Sequence, residues 1–68
     1  MLTPREQAYY DYLVAYRSVH GHLPTLKTIA GDMGVDHSVA SRYMARLIEK
    51  ELVVKQVATS FELAEWKR

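Results

Sequence analysis

The chain contains no cysteine. Neither a disulfide framework nor a thiolate metal site therefore adds to its stability, and a reducing compartment is the natural fit. No apolar run approaches the roughly 18 residues of a membrane span. The opening MLTPREQ lacks the charged start and apolar stretch of a signal peptide. A cytoplasmic location follows as the expectation, with no membrane partner. Neither sign of charge dominates. The formal net charge is +1, so bulk charge announces no polyanionic partner. The chain also lacks an internal repeat, a low-complexity segment, a linker and a glycine-rich phosphate loop. No nucleophile–base–acid set is apparent, so an enzyme is not expected, and neither a cofactor nor a small-molecule substrate is implied. His20 and His22 bracket Gly21, but two histidines without a third ligand are not read as a metal site.

What is present fits one small domain over residues 1–68. A chain of 68 residues, 49% of them hydrophobic, can close a core, although a domain this small buries only about 60% of its unfolded surface. Thr3-Pro4-Arg5-Glu6 is a strong helix start. Thr3 is placed to cap, proline is favoured at the first helical position, and Glu6 completes a capping box. Tyr9, Tyr12, Leu13, Tyr16 and Val19 recur at helical spacing to about His20, and Gly21 ends the run. Leu23-Pro24 reads as extended connector. Thr25 caps a short second helix, about 26–33, that buries Leu26, Ile29, Ala30 and Met33 and is closed by Gly34. Asp36 caps a third helix, about 37–50. One of its faces carries Ala40, Tyr43, Met44, Leu47 and Ile48. The opposite face carries Ser38, Arg42, Ala45 and Glu49, flanked by Ser41 and Arg46. After Glu51 the period changes: residues 52–57 read as a strand, 58–60 as a polar turn and 61–66 as the return strand. A two-stranded ribbon is marginal alone and must pack on the helices.

The spacing around Gly34 is the most informative feature. Ala30 sits four residues before it, and Ala40 and Tyr43 sit six and nine after it. A small residue at 30 lets two helices cross closely, and Gly34 can adopt the positive φ that ends the first of them. That is a helix-turn-helix, whose second member is free to enter a DNA groove. The order helix, helix, helix, hairpin makes it a winged helix, mainly α with a two-stranded wing. Charge follows the same division. Residues 1–36 carry net −1, and residues 37–57, with Arg42, Arg46, Lys50 and Lys55 against Glu49 and Glu51, carry net +2. A local basic face matters more for phosphate contact than the total does.

The pattern LTPREQ…YLVAYRSVHGHLPTLKTIAGDMGV…ASRYMARLIEKELVV resembles the N-terminal DNA-binding domain of LexA-type repressors. The shared features are Leu2-Thr3, Gly21, Pro24-Thr25, Ile29-Ala30 and Gly34, in order, over nearly the whole chain. Gly34-Val35 with Ser38 and Ala40-Ser41-Arg42 also looks like the broader helix-turn-helix repressor class, phage regulators included. The resemblance implies a repressor-like transcription regulator that binds operator DNA through its third helix. The chain departs from the family in a shorter turn before that helix, in Glu51 where a glycine is usual, and in a wing tip without glycine. It matches nothing of the family's self-cleaving domain, so the damage-responsive switch is not carried over.

In such a fold the N-terminal half of the third helix faces the major groove. His37, Ser38, Ser41 and Arg42 are the candidates for reading base edges, and Ala45 for packing on a thymine methyl. Arg42 is foremost, because a guanidinium fork can bond both acceptors of a guanine edge. Thr25, Lys27, Arg46 and Lys55 are the candidates for phosphate contact. The expected partner is double-stranded DNA, with a weak or DNA-assisted homodimer, since one module covers one half-site. The alternative is a protein-binding winged helix that uses the tyrosines of the first helix, with Trp66 as a further contact or as a seal on the wing.

Overall fold

The computed structural model describes residues 2–57 and 60–64; Trp66 and the residues around it lie outside that range. Three helices, α1 (Pro4–His20), α2 (Leu26–Met33) and α3 (His37–Glu49), precede a hairpin of β1 (Val53–Val57) and β2 (Ser60–Leu63). The fold is thus mainly helical with a two-stranded antiparallel ribbon, the winged-helix layout expected from the sequence.

Local chemistry sets the boundaries. Thr3 Oγ1 accepts from the Glu6 N–H, and Glu6 Oε1 accepts from the Thr3 N–H, so the capping box is complete. Gly21 (φ 82°) and Gly34 (φ 70°) end α1 and α2 in the left-handed region that glycine enters at little cost. Thr25 caps α2 by accepting from the Thr28 N–H. Asp36 occupies the N-cap of α3 but makes no side-chain cap bond. The Val39 N–H, which its carboxylate would take, bonds instead to the Asp36 carbonyl at 3.0 Å. The expected Asp36 cap is therefore a backbone cap only, and the carboxylate stays exposed.

The end of α3 is a Schellman motif. The Leu52 N–H reaches the Leu47 carbonyl at 3.0 Å, and the Glu51 N–H reaches the Ile48 carbonyl at 2.9 Å. This closure needs a left-handed residue, and Glu51 supplies it at φ 64°. Among the described residues, the position where the family resemblance leads one to expect glycine is the one where a non-glycine residue bears positive φ.

Tyr9, Leu13, Leu23, Ile29, Ala30, Ala40, Met44, Leu47, Val53 and Leu63 form one buried cluster. Ala30 and Ala40 lie inside it, as the close packing of α2 on α3 requires. Tyr9 stacks on Tyr43 with ring centroids 4.5 Å apart. Tyr12 donates to Asp32 Oδ2 at 2.5 Å and so ties α1 to α2. Val19, expected on the apolar face of α1, is 78% exposed. At 3.6 residues per turn it lies about 120° from Leu13, on the flank of the helix. The hairpin pairs Val53 with Leu63, Val54 with Glu62 and Lys55 with Phe61, then shifts register before Val57 pairs with Ser60. Strand β2 is shorter than the alternation suggested. Ala64 has already turned back, its N–H bonding the Leu52 carbonyl at 3.0 Å.

Candidate nucleic-acid interface

The amphipathic pattern of α3 buries Ala40, Met44 and Leu47, which fixes the rotation of the helix about its axis. His37, Ser38, Ser41, Arg42 and Ala45 are in consequence all exposed. They share one side of α3, as the spacing required. Arg42 makes no hydrogen bond or ion pair with another described residue. The exposed Asp36 carboxylate stands immediately before this stripe.

The wing brings a cation to the same side. Lys55 is exposed on β1. It borders a crevice of about 140 Å³ together with Ser41 and Ala45 of α3, Leu26 of α2 and Phe61 of β2. Helix α2, helix α3 and the wing therefore meet at one concave spot, rimmed by three of the sequence-derived candidates. Thr25 and Lys27, adjacent to Leu26, are exposed as well. The Thr25 hydroxyl already serves the cap of α2 and donates to Thr28 Oγ1 at 3.2 Å.

Arg46 differs from the other candidates. Its Nη1 lies 3.6 Å from Glu6 Oε2, and its guanidinium carbon lies 5.5 Å from the centre of the Tyr43 ring. Lys50 Nζ donates to Glu6 Oε1 at 2.7 Å. Glu6 itself is 3% exposed. The Lys50 hydrogen bond, then the Thr3 N–H, hold its carboxyl down at about 2, with the charge of Arg46 adding to them and burial opposing.

Sequence reading missed this role of Glu6, taking it only as a capping residue. It also missed Arg17, whose Nε donates to both carboxylate oxygens of Glu62 at 3.0 and 3.3 Å and so ties α1 to the wing. A signal existed. Glu6, Leu13 and Arg17 fall on one line of α1 at multiples of nearly two or one turns. Charged residues on the core line of a helix require partners from elsewhere in the chain.

The first-helix tyrosines are largely occupied. Tyr9 is buried, Tyr10, Tyr12 and Tyr16 are half-buried, and burial followed by the Asp32 hydrogen bond pushes the Tyr12 hydroxyl pKa up. Tyr16 packs against His20 with ring centroids 4.0 Å apart, and His22 lies 6.2 Å from His20. Among the described residues no group of three or more His, Cys, Asp or Glu side chains is placed to hold a metal ion, and no helix is long and apolar enough to cross a membrane. An open cleft of about 370 Å³ runs between the start of α1 and the end of α2, lined by Pro4, Arg5, Ala8, Tyr9, Met33 and Val35. No protein-family model matches the chain, and no curated protein or solved structure shows significant similarity to it.

Proposed function

We propose that this chain is a sequence-specific double-stranded-DNA-binding regulator of repressor type, with α3 as its reading helix. One observation carries the reading. The outward stripe His37, Ser38, Ser41, Arg42 and Ala45 is fully presented, and Arg42 is not drawn into an ion pair with any described residue. In the major groove Arg42 addresses a guanine edge, the serines and His37 address neighbouring bases, and Ala45 packs on a thymine methyl. Lys55 on the wing, with Lys27 and Thr25 at the start of α2, meets phosphates on either side. The LexA-type resemblance of the sequence points the same way. One module spans one half-site, so a weak or DNA-assisted homodimer on a palindromic site belongs to the proposal.

The experiment is selection of bound duplexes from a random pool, followed by fluorescence anisotropy on the winner. Enrichment of a defined motif, with log affinity falling linearly against log salt, supports the reading. A pool that stays random after selection, with no salt-dependent binding, refutes it.

A second reading, a protein-docking winged helix, draws on the apolar cleft between α1 and α2. A partner that survives nuclease treatment, with no DNA affinity in the purified protein, would favour it.

A further inference from the structure

Arg42 and Arg46 on α3 and Lys50 at its C-cap stand at four-residue intervals. Residues so spaced form one row along a helix. All three carry positive charge, and such a row is suited to a phosphate backbone. The fold divides it. Glu6, carried across by α1, stands against the last two members, 2.7 Å from Lys50 and 3.6 Å from Arg46. The Tyr43 ring lies under the same Arg46 guanidinium. Arg42, one turn nearer the start of α3, has no such partner among the described residues.

We infer that Glu6 sets which cations of α3 meet DNA: it retains Arg46 and Lys50 as intramolecular partners, and leaves Arg42 with Lys27 and Lys55 as the contact set. The inference rests on the DNA-binding reading and adds a restraint to it. A cation held by a carboxylate releases no DNA counterion unless that ion pair breaks, so it contributes little to sequence-independent binding. On a duplex without the selected motif Arg42 too rests on phosphate, so three available cations correspond to a slope of log affinity against log salt of about −2.7, and the full set of five to about −4.5. The restraint thus lowers affinity for arbitrary sequence while leaving the base-reading side chains untouched. It gives a nearly neutral domain a shallow electrostatic footprint, so discrimination falls to Arg42 and its neighbours.

The test is anisotropy with a labelled mixed-sequence duplex at about 50 to 200 mM salt. Wild-type protein is compared with Glu6→Gln, which keeps the capping-box bond but removes the charge. The expected result is tighter mixed-sequence binding by Glu6→Gln and a slope steeper by about 1 to 2. A slope equal to wild type overturns the inference and leaves the DNA reading standing. Failure of the wild-type protein to bind any duplex overturns both. If Glu6→Gln does not fold, as judged by its thermal melt, the comparison of Arg46→Gln with Arg42→Gln decides. The inference requires Arg46→Gln to flatten the slope by less than half as much as Arg42→Gln does. Equal flattening contradicts it.

Discussion

Lys50 and Glu6, 44 positions apart in the sequence, meet with Nζ 2.7 Å from Oε1. This contact joins the first turn of α1 to the last residue before the α3–β1 connection. It thus braces the end of α3 against the start of α1. The Glu6 carboxyl, ordinarily near 4.5, is held at about 2 by Lys50 first and by the Thr3 N–H second. A carboxyl whose folded pKa is depressed contributes stability that is complete above its unfolded value and vanishes as pH falls through the folded one. Acid unfolding should therefore weaken the domain between about pH 4.5 and about pH 2. Circular dichroism melts across that window should show Glu6→Gln less stable than wild type at neutral pH, with the two curves converging at the acid end. Parallel curves would mean that Glu6 is not the titrating group.

Glu51 at φ 64° completes the Schellman closure of α3 against its own side-chain preference. A left-handed residue with a Cβ costs about 1–2 kcal/mol, and glycine gives back part of that gain through its freer unfolded state. Glu51→Gly should stabilise the domain by up to about 1 kcal/mol, measured as a raised urea midpoint at unchanged m-value. Glu51→Ala should leave the midpoint nearly where it is. Equal midpoints for the glycine and alanine variants would refute the strain argument.

Ala40 of α3 is completely buried in the core cluster that also holds Ile29 and Ala30 of α2. Ala40→Leu places extra volume in that core, on which α2 and α3 both pack. Overpacking should cost about 1–3 kcal/mol in denaturant unfolding and reset the angle between the two helices. DNA affinity should fall even under conditions where the variant remains folded. A variant with wild-type stability and affinity would show that the junction has room to spare.

The Arg17–Glu62 pair anchors the wing to α1. Both side chains retain some exposure, so global stability should change by no more than about 1 kcal/mol in Glu62→Gln. Local opening of the hairpin should respond more strongly, with faster exchange than in wild type at the amides of positions 54 and 62, which face each other across the ladder. Unchanged exchange at those two amides would remove the pair from any role in holding the wing.

The parts of the fold set by short-range chemistry were readable from the sequence. The Thr3-Pro4-Arg5-Glu6 start, the glycines at 21 and 34 and the 3.6-residue stripe of α3 act through neighbours a few positions away. Helix limits and the exposed side of α3 followed from them. Periodicity could not show what each charged side chain pairs with. Glu6 with Lys50 and Arg17 with Glu62 are contacts across more than 40 positions, and only the assembled fold reveals them. Val19 was misplaced because hydrophobicity was weighed above its angle on the helix. Strand β2 was overextended because alternation continues past the point where the Ala64 N–H turns back to Leu52. The glycine missing at position 51 was visible in the sequence, but its consequence, a glutamate held at positive φ, was not.

The most direct measurement is a titration of the isotope-labelled protein with the selected duplex, following backbone amide shifts. The DNA-reading proposal for α3 predicts that the largest changes fall at Ser38, Ser41, Arg42 and Ala45, with Lys55 on the wing moving alongside them. Shifts confined to Arg5, Ala8, Tyr9, Met33 and Val35 around the α1–α2 cleft, or no shifts at all, would contradict it.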